Sequence, residues 1–497
     1  MKLSHIVAPD TYIPPEWDRD ILNIHADSRD ISPGDLFIAR AGLDDHGEKY
    51  IECAVENGAV AVIEIVTEGA FSFRCTDKGV PVFSVPQDEG QQLKWLKTRY
   101  LGVPKIKLIG VTGTNGKSSV TQYVAQLLSE LNESCGILGT LGNGVWPALE
   151  ATRNTTPDIC LTYQYLNEMQ QRDTGFAAIE VSSHGLHQNR VSGLDFDVAV
   201  LTNVSQDHLD YHGTMDEYFA AKAKLFLNGC CRVAVVNIDD EYGVKLWNND
   251  QLPTGSVSVG SDQTPANVRY SNISMSSKGM VADLTSPWGV ATLNLSLLGA
   301  FNIANVAAAI AALALQGLDF SALVKAASKL QPVDGRMALY VNNELPKTVV
   351  DFAHTPDALE NVLLAIKPLA QTISLVFGCG GDRDRSKRPL MAVAAMIADS
   401  VWVTDDNPRS ESPEQIFADI AQHENTKNFI FQHDRAAAIA EAIAATPKDG
   451  IVIIAGKGHE TYQEINGERI EYSDETVLLN AGYQKAGLIK AGDHHVA

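Results

Sequence analysis

Residues 112–119, Thr-Gly-Thr-Asn-Gly-Lys-Ser-Ser, carry the residue types that grip a polyphosphate. Glycines let backbone N–H groups point inward, Lys117 adds a positive charge, and a hydroxyl of Ser118 or Ser119 suits Mg²⁺. An apolar run at 108–111 reads as a buried strand entering this loop, and 118–130 reads as the helix leaving it. Gly113, Thr114, Asn115, Gly116, Lys117, Ser118 and Ser119 would then form a phosphate cradle for a nucleotide. The strict motif, Gly, four residues, Gly-Lys-Ser/Thr, would need glycine at position 111, where valine stands.

Other residues with chemical potential also follow apolar runs. Glu180 reads either as a second hard ligand for Mg²⁺ beside Ser118 or as a strand-end carboxylate in a salt bridge. His208 reads as hydrogen-bonded structure or as a ligand. Lys222, on an amphipathic helix, has the position of an ordinary solvated lysine. Arg383, Arg385, Lys387 and Arg388 place four cations within six residues, directly after Gly378-Cys-Gly-Gly. That run is either a solvated charged surface or a bidentate grip on a carboxylate or phosphate. Arg409 closes Asp406-Asn407-Pro408-Arg409, whose proline fixes the backbone before it.

The elements that must position these residues alternate strand and helix. At 497 residues the chain has room for about three domains. Residues 1–100 read as a small α/β unit with strands at 35–38, 59–65 and 80–85, a turn at Pro33-Gly34, and a role that is either substrate-holding or structural. Residues 101–335 alternate in the manner of a mostly parallel sheet, with strands at 177–181, 198–202 and 233–237. Thr214-Met-Asp-Glu217 is a capping box opening a helix to about 227. Residues 254–300 read as β-rich and the Ala-rich stretch 302–316 as a buried helix. Residues 336–497 repeat the rhythm as a Rossmann-like unit, with strands at 348–352, 373–377, 401–404 and 451–455, each running into a polar or Gly-rich loop. In open parallel sheets ligands sit beyond the carboxyl ends of the strands, which is where the candidate residues fall. Asp334-Gly335-Arg336 reads as a hinge, and His494-His495 as a mobile tail.

Composition removes several classes of function. The net charge of −22, from 39 basic and 61 acidic residues, disfavours nucleic acid or an anionic membrane as partner. No run approaches the ~20 apolar residues of a membrane span, and the first residues lack a secretory apolar core. The expectation is a soluble, cytoplasmic protein. Seven cysteines without a Cys-x-x-Cys pair argue against a disulfide framework and against a zinc site.

Together these motifs resemble the Mur ligase family, ATP-dependent amide-bond formers of peptidoglycan synthesis. Residues 112–119 match its phosphate loop. Glu180-Val-Ser-Ser-His, the stretch 203–208, Asn302, Gly335-Arg336 and Asp351-Phe-Ala-His354-Thr-Pro follow in the family's order over essentially the whole chain. Asn154-Thr155-Thr156-Pro with Ser182, Gln188 and Arg190 is similar to a site for UDP-MurNAc-L-Ala-D-Glu. Asp406-Asn-Pro-Arg409 resembles the signature of members that add meso-2,6-diaminopimelate rather than lysine.

The resemblance implies an α/β protein of three domains: UDP-substrate binding at 1–100, ATP binding at 101–335 around a central P-loop, and amino-acid binding at 336–497. It implies ATP and Mg²⁺ as cofactors and a monomer. Ser28 and the loop at 43–45 would meet the uridine end. Asn302, Arg336, Asp351 and His354 would join the ATP site. Arg383, Asp406, Asn407, Pro408, Arg409, Gly456 and Glu460 would hold diaminopimelate. Lys222, with Lys224 as a neighbouring rival, aligns with the family's carbamylated lysine, and with His208 would serve a second Mg²⁺. Two rivals are a folylpolyglutamate synthetase, which shares the ATPase core, and a nucleotide-gated binding protein without ligase chemistry.

Overall fold

The computed structural model describes residues 1–7, 12–40, 46–66, 71–86, 89–100, 105–276 and 279–486. The loop at 43–45 and the tail at His494-His495 lie outside the described residues. The chain packs as two compact units, one of Met1–Leu108 with Ser134–Asp195, the other of Ile109–Glu133 with Phe196–Ala497.

In the first unit the apolar runs of the N-terminal region form parallel strands in the order Ile24–His25, Leu36–Ala39, Ala61–Val66, Pro81–Pro86, with Ser72–Cys75 antiparallel on the edge. Leu36–Ala39 is buried along its whole length, as a strand covered on both faces requires. The later part of this unit pairs Phe176–Glu180 in parallel with Cys135–Gly139, which turns into the antiparallel strands Gly142–Val145 and Ala148–Glu150. Ile24–His25 is too short for a periodic signal, and Ser72–Cys75 is exposed along its length, so neither shows as an apolar run.

Among the described residues the second unit holds, besides the small antiparallel pair Tyr462–Ile465 with Glu468–Glu471, two large sheets. In one, Lys107–Thr112, Phe196–Leu201, Cys231–Asn237, Val257–Ser261 and Val268–Ser276 run parallel, and Gly279–Ser286 and Gly289–Leu295 extend it as antiparallel strands. The expected β-rich stretch, 254–300, comprises Val257–Ser261, Val268–Ser276 and this extension. The helix Phe301–Leu315 is buried on nearly every face, which its alanines permit by letting neighbouring backbones approach closely. In the other sheet, Ile430–Phe431, Ser400–Val403, Ile373–Phe377, Ile451–Ala455 and Lys347–Asp351 are parallel, with Ala338–Val341 and Gln484–Lys485 antiparallel at one edge. The helix opened by Thr214 ends at Ala223, four residues before the expected 227. Turns through Lys224–Phe226, closed by Leu225 N–H to Lys222 O at 3.2 Å, carry the chain on instead.

Candidate active site

The strand Lys107–Thr112 runs into Gly113, at φ +151°, and Gly116, at φ +87°. A Cβ at Gly113 would collide with Thr202 Oγ1, and one at Gly116 would lie 2.7 Å from Asn305 Oδ1, so both positions require glycine. Asn203 holds the loop, accepting from Asn115 N–H at 2.9 Å and donating to Asn115 O at 3.1 Å. Gly116 is the N-cap of the helix Lys117–Glu130 and no side chain caps it, the arrangement in which a helix N-terminus takes an anion.

Three basic side chains surround this loop. Lys117 Nζ donates to Gly113 O and Thr114 O, both at 2.9 Å. Arg336 donates to Ser118 Oγ at 3.4 Å and lies over the Phe352 ring, 4.2 Å from its centroid. Lys222 is not the solvated lysine its helix pattern suggested. It is 1% exposed, donates to Gly113 O at 2.8 Å and sits 4.3 Å from the centre of the Tyr218 ring. Burial drives the Lys222 ammonium well below its usual pKa, with Lys117 pushing the same way and Asp207 opposing.

The second sheet of this unit brings its loops to the same place. Asn115 Nδ2 donates to Asp357 Oδ2 at 3.1 Å and to Thr355 Oγ1, the N-cap of the helix Pro356–Ile366, at 3.4 Å. Asp207 gathers Lys387 Nζ at 3.2 Å, His208 Nε2 at 3.4 Å and His354 Nε2 at 3.5 Å. Burial alone would raise the Asp207 pKa, but Lys387, His354 and His208 hold it well below the carboxylate range. Asp207 stands inside a recognised motif, yet no sequence signal pointed to its partners. Asp351 accepts from Met337 N–H at 2.7 Å and Ala353 N–H at 2.8 Å; burial raises its pKa against the pull of Arg336. Asn302 is buried, accepting from Tyr123 OH at 3.0 Å and donating to Leu298 O at 2.7 Å, and with Arg336, Pro332 and Met337 it lines a cavity.

The four-cation run is neither a solvated surface nor a single grip. Arg388 is buried between Glu411, at 2.6 Å, and Asp419, at 2.8 Å; Arg385 pairs with Asp419 at 3.0 Å; Lys387 pairs with Asp207. Among the described residues only Arg383 of the four has no carboxylate within ion-pair distance. Its guanidinium pKa is lowered by burial and by Arg409 beside it. Arg409, at φ +54°, donates to Gly381 O at 2.7 Å and lies 3.9 Å from Glu464. Asp406 is buried against Gly456, where a Cβ would approach Asp406 Oδ2 to 2.6 Å. Glu411 N–H donates to Pro408 O at 3.1 Å, and Asn407 Nδ2 donates to Glu460 Oε2 at 2.9 Å.

The candidate residues of the first unit also converge. Glu180 accepts from Thr140 N–H at 3.0 Å and from Thr140 Oγ1 at 3.1 Å, and that hydroxyl is 3.1 Å from Thr155 Oγ1. Thr156 Oγ1 lies 2.8 Å from Glu180 O and 3.1 Å from Ser182 Oγ, the N-cap of the helix Ser183–His187. Arg190 donates to Thr156 O at 2.8 Å and Gln188 Oε1 at 2.7 Å. Arg153, next to Asn154, pairs with Asp30 at 2.9 Å in the 3₁₀ turn Ser28–Asp30. Ser28 and the 154–190 residues therefore share one unit.

A P-loop whose lysines rest on carbonyls, beside the loops at the edge of a second parallel sheet, is the frame of a nucleotide-dependent enzyme. Family models match in three places: Mur ligase family, catalytic domain, over 20–87; Mur ligase middle domain over 111–313; and Mur ligase, glutamate ligase domain, over 335–458. A relative from Pseudomonas syringae pv. tomato, UDP-N-acetylmuramoyl-L-alanyl-D-glutamate--2,6-diaminopimelate ligase, is 47% identical over 466 residues, covering 92% of this chain and 94% of that one. A solved structure of a ligase with the same name is 36% identical, with a TM-score of 0.64 over 97% of this chain and 98% of that one. The MurF ligase from Thermotoga maritima in complex with ADP shares the fold at 18% identity, with a TM-score of 0.63 over 89% of this chain and 95% of that one. The chain belongs to the Mur ligase family, and is an ATP-dependent amide-bond-forming ligase. Among the described residues no helix is long and apolar enough to cross a membrane.

Proposed function

We propose that this ligase adds meso-2,6-diaminopimelate to UDP-MurNAc-L-Ala-D-Glu, in cytoplasmic peptidoglycan precursor synthesis, acting as a monomer. The observation that carries the reading is the pair Arg383 and Arg409 beside Asn407 and Glu460, which offers cations to one end of a diamino diacid and a carboxylate to the other. In this reading residues 1–100 hold the UDP end, 101–335 the ATP and 336–497 the amino acid.

ATP lies along residues 113–119, its phosphates met by loop N–H groups and Lys117. The γ-carboxylate of the D-glutamyl residue attacks the γ-phosphorus, ADP leaves, and an acyl phosphate forms. An amine of diaminopimelate adds to the acyl carbon and phosphate departs, leaving the amide. Activation is needed because a carboxylate is a poor electrophile, and water must be kept from the acyl phosphate. Arg336 and His354, already beside Ser118 and Asp207, bring the second sheet's loops over the nucleotide.

Of the residues that would hold Mg²⁺ in this reading, Ser118, His208 and a carbamylated Lys222 belong to one unit and Glu180 offers a carboxylate in the other. When bound, Mg²⁺ supplies charge neutralisation during phosphoryl transfer. Carbamylation joins the Lys222 nitrogen to CO₂ with loss of one proton, and it needs the neutral amine that burial favours. Diaminopimelate differs from lysine by a carboxylate that Arg383 and Arg409 would meet, and a site built to bind such a polar group rejects the analogue lacking it by ~10⁴. An amino-acid panel with ATP, Mg²⁺ and UDP-MurNAc-L-Ala-D-Glu tests the reading: phosphate release should require diaminopimelate. Equal kcat/KM for lysine would sink it.

A further inference from the structure

Lys457 belongs to none of the site residues assigned above, yet its side chain is wholly buried between two of them. Its Nζ donates to Asn407 Oδ1 at 3.0 Å and to Glu460 Oε2 at 3.1 Å, while Asn407 Nδ2 donates to the same Glu460 Oε2 at 2.9 Å. Asn407 Oδ1 also accepts from Glu464 N–H at 2.9 Å. Two donors on that oxygen fix which way the amide faces, so its NH₂ must point to Glu460. Glu460 Oε2 in turn takes both Lys457 and Asn407, and among the described residues Oε1 has no hydrogen-bond donor, which leaves it as the remaining acceptor.

A bare carboxylate at the end of a loop would rotate and would place its charge at either oxygen. The triangle removes that freedom, since turning Glu460 would leave the buried ammonium without its ion partner. It also cancels one unit of negative charge, so the remaining oxygen recognises an ammonium by direction more than by bulk attraction.

We propose that Lys457 is a positioning residue for the amino-acid substrate: it locks Asn407 and Glu460 so that Glu460 Oε1 receives an ammonium group of the incoming diamino diacid. This rests on the proposed function, and it deepens that reading by separating which residues touch the substrate from which residue orders them.

Lys457→Met keeps the length and burial of the side chain while removing charge and donors. With purified full-length protein, KM for diaminopimelate should rise about 10-fold or more, kcat should stay within about 3-fold, and KM for ATP and for UDP-MurNAc-L-Ala-D-Glu should hold. In a Glu460→Gln background, adding Lys457→Met should raise KM by less than about 2-fold, because the oriented oxygen is already lost. Should Lys457→Met fail to fold, Lys457→Gln, which keeps a donor for Asn407, should give a smaller rise in KM. An unchanged KM in the variant that folds overturns the proposal. So does a rise shared equally by all three substrates, or full additivity with Glu460→Gln, each marking a merely structural lysine. A wild-type protein that incorporates no diaminopimelate is a different failure: it removes the proposed function before any variant is compared.

Discussion

The phosphate loop and the cationic loop after Ile373–Phe377 are both rich in glycine and positive charge, but they use that charge in opposite ways. At the phosphate loop the Lys117 ammonium rests on the neutral carbonyls of Gly113 and Thr114. At residues 383–388 three of four cations are closed onto carboxylates, leaving Arg383 beside Arg409. A cation on a carbonyl keeps its unit charge for an arriving anion. A cation in a buried ion pair builds the frame, and breaking such a pair is costly because the partner charge is stranded. Similar composition therefore separates into a site that acts and a scaffold that shapes.

The sharpest way to break this comparison is Lys117→Met, which should lower kcat by ~10³-fold with little change in Tm, since it removes charge stabilisation from phosphoryl transfer. A comparable loss of Tm would place Lys117 in the frame instead. Lys222→Ala should lower turnover by ~10²-fold, and added acetate or formate should restore part of it by standing in for the carbamate oxygens. A ¹³C spectrum of fully active, folded enzyme equilibrated with ¹³CO₂ that shows no carbamate carbon would refute the carbamate.

The frame side of the comparison predicts the reverse pattern. Arg388→Met should destabilise the fold by about 3–5 kcal/mol in urea titrations, because Glu411 and Asp419 lose their buried partner. Arg383→Met should leave the urea midpoint nearly unchanged and raise KM for the amino acid. Equal midpoints for the two variants would dissolve the distinction.

The smallest effect is on pH dependence. The Asp207 carboxyl is held well below its usual range, so its ionised form contributes stability above the unfolded value of about 3.9, and that contribution is lost as pH falls through the lower native value. The urea midpoints of wild type and Asp207→Asn should differ most at pH 6–7 and converge on acidification. A gap that is constant from pH 7 to pH 3 would contradict the assignment.

The strands at Ile373–Phe377 and Ile451–Ala455 lie where the apolar runs placed them, and Ser400–Val403 is displaced by one residue. Parallel strands covered on both faces must be continuously apolar, so their pattern survives in one dimension. The phosphate loop was readable for a related reason: its glycines and lysine are neighbours in the chain. The setting of Lys222 was not readable, because the short helix Met215–Ala223 is buried around Tyr218, Phe219 and Ala221 and its charge pattern cannot reveal the Gly113 carbonyl it meets. Nor could the run at 383–388 be sorted, since the partner of Lys387 lies 180 residues away.

By itself, then, the sequence determined the α/β class, the order of the loops and the chemical types brought to them, because burial, turn geometry and motif spacing are local properties. Only the tertiary structure decided which charges are paired, which oxygen of Glu460 is held and how deeply Lys222 is buried. Those outcomes depend on distances between residues far apart in the chain, and a charge acquires its role from what the fold sets within about 3 Å of it.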